Sequence, residues 1–296
     1  MSRKVKGFSV WGLILSVVAG AAMPVLGEAP KSPIAEPAKA ALAPVAGKAT
    51  RVLFIGNSFT SYNGGLGSIV QSLAAKGGHK LEFVEVTKGG ETLEGHWKTG
   101  KAQAAIQKGG WDYVVLQEQS VRPITDPAKM AEYVKLFDAE IKKVGAKTLL
   151  YETWATIDKP ETQVVLCKAY ESIAKEINAI VAPAGRAWEV ALRSKPDLKL
   201  HVLKDKKHPT PAGSYLNACV MYATIFGQEP ADLPRSIRSA AGKALFELAE
   251  PDANLLQKAA CEMLVGWKKT LEAAGAVPAA LGAPAPAEAP AAAKRS

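Results

Sequence analysis

The stretch Arg51-Val52-Leu53-Phe54-Ile55-Gly56-Asn57-Ser58-Phe59-Thr60 decides how the chain is read. Four consecutive apolar residues, Val52 to Ile55, mostly β-branched or aromatic, read as a short strand buried on both faces, as at the centre of a parallel sheet. Gly56 stops the strand, and beyond Thr60 the pattern drifts into helical spacing. Ser58 therefore sits in the tight turn between a central strand and a helix. There its hydroxyl can project above the sheet, and its own N–H lies near a helix N-terminus. The position also suits a simpler job, since Asn and Ser commonly cap helices.

Working outward, strand-like and helix-like stretches alternate. Strands are expected at 81–86 (LEFVEV), 113–116, 148–151 and, shorter, 179–182. Helices are expected at 66–76, about 94–108, 127–144, 161–177, 187–193, 212–226 and 254–271. This alternation implies a mostly parallel sheet with helices on both faces. Such sheets place their working crevice at the carboxyl ends of the strands. Polar and glycine residues fall there repeatedly: Asn57-Ser58, Gly89-Gly90, Gln117-Glu118-Gln119-Ser120 and Glu152-Thr153-Trp154.

A nucleophile needs a base, and the base needs an orienter. Asp205-Lys206-Lys207-His208-Pro209-Thr210-Pro211 supplies both as one short unit. The prolines keep His208 and Thr210 out of helical geometry, while Thr210 caps and Pro211 begins the next helix. Asp205 can curl back to accept the second ring N–H of His208 and fix its tautomer. The plainer reading of His208 is a surface histidine in a Lys-rich loop.

These blocks together resemble the SGNH (GDSL-like) hydrolases. Gly56-Asn57-Ser58 resembles the first block, with Asn57 where many members have Asp, Gly89-Gly90 the second, and Asp205 to His208 the last. The resemblance runs from about Arg51 to Phe226. It implies a three-layer α/β/α flavodoxin-like sandwich with five parallel strands, a Ser58–His208–Asp205 triad, and no metal or other cofactor. The third block departs from the pattern, with Gln117-Glu118-Gln119-Ser120 where an Asn donor is usual. Sialate and xylan acetylesterases look similar in using Gln there. Gln119 is preferred over Gln117 as the amide donor, because Gln117 still reads as strand. Ser58 N–H, Gly90 N–H and this amide would then form an oxyanion hole, Gly90 allowing close approach because it lacks Cβ.

The expected function is hydrolysis of short-acyl esters, acetyl above all, of carbohydrates or similar alcohols. Connections are short, and no apolar insertion resembles a lid or acyl tunnel. Asn57, Trp154, Trp97 and Tyr62 are candidates for substrate contact, the rings because they lie in or near loops at the strand ends. His96 and His201 are the fallback bases. Two other readings are a flavodoxin-like module binding phosphate or flavin and a non-catalytic glycan-binding relative. The first leaves Asp205 to His208 unexplained, and the second leaves an intact Ser58, Asp205 and His208. An α/β-hydrolase is disfavoured because Thr60 replaces the second Gly of Gly-x-Ser-x-Gly.

Residues 1–27 read as a secretory leader, with Arg3, Lys4 and Lys6 ahead of an apolar run that Gly20 and Pro24 leave short for the alternative, an uncleaved membrane anchor, so an exported, periplasmic or extracellular protein is expected. Residues 28–50 read as an Ala/Pro-rich linker, 51–272 as the hydrolase domain, and 273–296 as a disordered Ala/Pro-rich tail. The formal charge of +9 falls to +6 without the three leader positives. The rest are scattered apart from Lys204, Lys206 and Lys207, so neither nucleic acid nor, after leader removal, stable membrane insertion is expected. A small-molecule or polysaccharide ester is the expected partner. Cys167, Cys219 and Cys261 lack metal-ligand spacing and read as buried thiols, with one disulfide and a leftover thiol as the alternative in an oxidising compartment.

Overall fold

The first strand, β1 (Thr50–Gly56), buries Val52, Leu53, Phe54 and Ile55 completely. Successive side chains of a strand point to opposite faces, so Val52 and Phe54 enter one apolar layer and Leu53 and Ile55 the other. Burying each such side chain contributes roughly 1.5–3 kcal/mol relative to exposure. That demand for cover on both faces makes β1 an interior strand. The computed structural model describes residues 47–239 and 241–273. The expected leader (1–27), linker residues 28–46 and the tail from 274 onward lie outside the described residues.

After β1 the chain forms α1 (Ser58–Ser61), α2 (Leu66–Lys76), β2 (Leu81–Thr87), α3 (Leu93–Thr99), α4 (Lys101–Gln107) and β3 (Tyr113–Leu116). It continues through α5 (Arg122–Thr125), α6 (Pro127–Lys143), β4 (Lys147–Tyr151), α7 (Gln163–Ile177), β5 (Ile180–Ala182) and α8 (Ala184–Ser194). Helix α9 (Pro211–Phe226), a hairpin of β6 (Ser236–Arg238) and β7 (Ala244–Glu247), and α10 (Glu250–Ala273) complete it. The first five strands make one parallel sheet in the order β2-β1-β3-β4-β5. Helices α2, α8, α9 and α10 cover the Val52 face, and α3, α4, α6 and α7 cover the other. This is a three-layer α/β/α sandwich with a five-stranded parallel sheet.

Two features differ from the sequence expectation. The helix expected over about 94–108 is two helices, because the backbone turns left-handed at Gly100 (φ 73°) and its N–H closes on Trp97 O. The β6–β7 hairpin was not expected. Its strands have three and four residues, too short to show a period, and Ile237 is the only fully buried side chain of the two strands.

Register sets the crevice. Ile55 pairs with Val86 on one side and Leu116 on the other, so β1, β2 and β3 end level. The loops that follow them, beginning at Asn57, Lys88 and Gln117, are therefore neighbours at one edge of the sheet. Among the described residues no helix is long and apolar enough to cross a membrane. Cys167 and Cys219 are buried free thiols, whose ionisation burial pushes up, and Cys261 is a half-buried one.

Candidate active site

Ser58 is the first residue of α1, and Asn57 caps that helix with its Oδ1 accepting from Phe59 N–H at 3.0 Å. The turn is held from the next strand. Gln117 Oε1 accepts from Asn57 N–H and from Thr60 Oγ1, each at 2.9 Å. Gly56 is required for this closeness: a Cβ there would lie 2.5 Å from Thr60 Oγ1 and 2.6 Å from Gln117 Oε1. Asn57 Nδ2 donates to Glu91 O at 2.9 Å, tying in the loop after β2.

His208 reaches the same place from the loop before α9. Its Nε2 lies 2.8 Å from Ser58 Oγ, and its Nδ1 lies 2.9 Å from Asp205 Oδ2. The other Asp205 oxygen accepts from the N–H groups of Lys207 (3.0 Å) and His208 (2.9 Å). Partial burial pulls the Asp205 pKa up, but these two N–H groups and the imidazole outweigh it and hold the carboxyl at about 2. At neutral pH Asp205 is thus ionised and can only accept. His208 Nδ1 must carry the proton, which leaves Nε2 free to accept from the Ser58 hydroxyl. The fallback histidines are elsewhere: His96 Nε2 is 2.7 Å from Gly56 O and His201 Nε2 is 2.9 Å from Ala155 O. Burial lowers the pKa of both.

A cavity of about 120 Å³ opens on Ser58 and His208, with Asn57, Gly90, Gln119 and Lys207 among its walls. The Gly90 N–H donates to no group among the described residues. Ser58 N–H, at the first helical position, has no intrahelical acceptor. Gln119 is held by its amide oxygen, which accepts from Val121 and Arg122 N–H at 2.9 and 3.1 Å. Its NH₂ end, whose nearest partner is Ser120 Oγ at 3.3 Å, remains a donor at the cavity wall. Glu118 sits beneath, buried. Its Oε1 accepts from Gln119 N–H and Leu93 N–H, joining the loops after β2 and β3, and burial raises its pKa against those two bonds.

The structure assigns several expected site residues other work. Gln117 is fully buried and its amide is spent on Asn57, Thr60 and Glu118 O, so it cannot serve as an oxyanion donor. Asn57 does face the cavity, but both ends of its amide are engaged. Trp154 is buried rather than presented to substrate. It lies between Phe59 (4.5 Å) and Trp188 (4.4 Å), nearly parallel to both, and donates from Nε1 to Lys207 O at 2.9 Å. Trp97 packs edge-on against Phe137 at 5.1 Å on the far face of the sheet. Tyr62 stacks on the His208 ring at 4.7 Å. Glu152 and Thr153 also lie in the interior, Glu152 beside Arg186 with burial pushing its carboxyl up to about 7. Lys207 and Phe59 at the cavity, and Asn63 behind it, were not singled out from sequence; the Asn63-Gly64-Gly65 run is a turn signal that could have flagged the last.

Among the described residues no group of three His, Cys, Asp or Glu side chains is placed to hold a metal. No protein-family model matches the chain, and no curated protein does. Solved structures do. A protein of Slackia heliotrinireducens described as an SGNH hydrolase is 26% identical, over 60% of this chain and 100% of that one, with a TM-score of 0.52. The fold is the SGNH hydrolase fold. A DUF4886 family protein of Bacteroides uniformis is similar over 74% of this chain and 95% of its own, at 18% identity and a TM-score of 0.60. Within this fold, Ser58 follows β1, Gly90 lies in the loop after β2, and Gln119 lies in the loop after β3.

Proposed function

We propose that the chain is a serine ester hydrolase. The observation that carries the reading is the continuous hydrogen-bonded run from Ser58 Oγ through His208 to Asp205, at 2.8 and 2.9 Å, opening on a cavity. Ser58 Oγ attacks the ester carbonyl carbon while His208 Nε2 takes its proton. The oxyanion that forms is held by Ser58 N–H, Gly90 N–H and the Gln119 amide. On collapse the C–O bond to the alcohol breaks, and His208 returns the proton to the leaving oxygen. Water then attacks the acyl-enzyme with His208 again as base, releasing the acid and restoring Ser58. Asp205 orients the imidazole and stabilises its charged form throughout. The description of the Slackia heliotrinireducens protein as a hydrolase supports the same class.

The acyl group is small, most simply acetyl, and the alcohol is a carbohydrate or similar. The cavity of about 120 Å³ supports this, as does the Gln-containing third block. The leader-like residues 1–27 support export to where such esters occur. The test is hydrolysis of 4-nitrophenyl acetate by the full chain and by Ser58→Ala, followed by a series of longer acyl esters and acetylated saccharides. Ser58→Ala should lose at least about 10³-fold in kcat. Equal turnover in Ser58→Ala defeats the hydrolase reading. Peak activity on long acyl chains defeats only the acetyl assignment.

A further inference from the structure

Ser58 and His208 come from segments 150 residues apart that share no strand pairing. Their 2.8 Å contact therefore needs something to hold the two segments in register. Helix α1 runs directly into a 3-10 turn, Tyr62–Gly64, in which Asn63 adopts a left-handed backbone, φ 53° and ψ 31°. Outside glycine that conformation is unfavourable, least so for Asn and Asp, and it persists where surroundings impose it. Here the side chain is what the surroundings hold. Asn63 Nδ2 donates to Pro209 O at 2.9 Å and to Ser214 Oγ at 2.8 Å. A carbonyl oxygen can only accept, so the nitrogen end of the amide must face Pro209. Pro209 is the residue directly after His208, and Ser214 lies in the first turn of α9. Two N–H groups thus meet two acceptors, both on the segment that carries the base.

The other links between these segments are ring contacts: Tyr62 stacked on His208, and Phe59 edge-on to it at 5.6 Å. Ring stacks fix a separation but let the planes slide. The Asn63 bonds are directional, and they run from its side-chain amide to the Pro209 carbonyl and the Ser214 hydroxyl without passing through either reacting group. We propose that Asn63 is a positioning residue, clamping the Pro209 carbonyl so that His208 Nε2 stays aligned with Ser58 Oγ. The inference rests on the serine-hydrolase reading. Alignment matters because a misplacement of about 1 Å at reacting atoms can cost on the order of 10²-fold in rate.

The test uses three full-length variants. Asn63→Gly keeps the left-handed turn and removes only the amide. Asn63→Asp keeps the shape but sets a carboxylate oxygen against the Pro209 carbonyl. Ser214→Ala removes one acceptor and leaves the bond to Pro209. Each is followed by 4-nitrophenyl acetate kinetics and by the rate at which a fluorophosphonate labels Ser58, with kcat counted per labelled site so that unfolded protein drops out. Asn63→Gly should lower kcat and labelling rate together by about 10- to 100-fold with KM within about twofold. Asn63→Asp should fall at least as far, and Ser214→Ala less. Wild-type kcat and labelling rate in Asn63→Gly overturn the proposal, as does a loss confined to KM or to the fraction of labelled protein. No labelling of Ser58 in the wild type would instead remove the hydrolase reading itself.

Discussion

The turn that presents Ser58 is buried and held from beneath by a neighbouring strand end, whereas the loop that presents His208 lies at the surface and is held largely by itself. Asn57, Thr60 and Gln117 are at most 2% exposed, and their mutual hydrogen bonds have no access to water. Asp205, by contrast, has a side chain one-third exposed, and Lys206 beside it takes a left-handed φ of 62°. Its loop is organised by a carboxylate that gathers the next N–H groups, by Val202 N–H donating to His208 O, and by Ile157 N–H donating to Lys206 O. Ser58 is thus fixed by the core of the sheet. His208 sits on a loop that meets it through a few contacts.

That contrast can be broken first at the two glutamines after β3. Gln119→Ala should lower kcat by about 10²–10³-fold with little change in melting temperature, since it removes a donor at the cavity. Gln117→Ala should instead destabilise the fold by roughly 1–3 kcal/mol, because it strands Asn57 N–H and Thr60 Oγ1 without an acceptor. Thermal unfolding beside kinetics on both variants separates the roles, and equal melting temperatures would remove the buried half of the comparison.

Asp205→Asn tests the other half. With its pKa depressed to about 2, the Asp205 carboxylate contributes stability present above its unfolded pKa, near 3.9, and lost as pH falls through about 2. The wild type should therefore unfold less readily than Asp205→Asn at pH 7, and the gap should close between about pH 4 and 2. A gap that stays constant across that range would mean the carboxylate does not organise the loop. The smallest effect is expected from Trp154→Phe, which keeps the ring between Phe59 and Trp188 but loses the N–H to Lys207 O. A loss of about 1 kcal/mol in stability and a few-fold in kcat would show that the base loop draws modestly on the core.

The buried half was also the more legible half in sequence. Val52 to Ile55, Tyr113 to Leu116 and the helix begun at Pro127 announce themselves because strands buried on both faces leave continuous apolar runs and prolines mark helix starts. Ser58, Asp205 and His208 could be singled out because turn and cap chemistry is local, and Gly90 and Gln119 through the family resemblance; the structure brings Ser58, Gly90, Gln119 and His208 around one cavity, with Asp205 behind His208. Gln117 could be told from Gln119 because it still reads as strand, and in the structure it is buried against Asn57 and Thr60. Trp154 was harder to place: following a strand says that a residue lies at the edge, not whether it faces the crevice or the helices behind it. The Asn63-Gly64-Gly65 run marks a turn, but the partners of Asn63 lie some 150 residues away, and no local pattern records a contact at that range.

The 150-residue separation of Ser58 and His208 also has a consequence in time. Closing so long a loop carries an entropic cost that must be met before the contact rewards it, and long-range contacts form late in folding. A chain made from its N-terminus presents β1 and the Ser58 turn early, while the loop that carries His208 emerges only after all five strands of the sheet. Every partly synthesised form up to that point carries Ser58 without His208. The order of the residues along the chain thus works as a delay: the proposed triad cannot assemble until the sheet that holds Ser58 is complete.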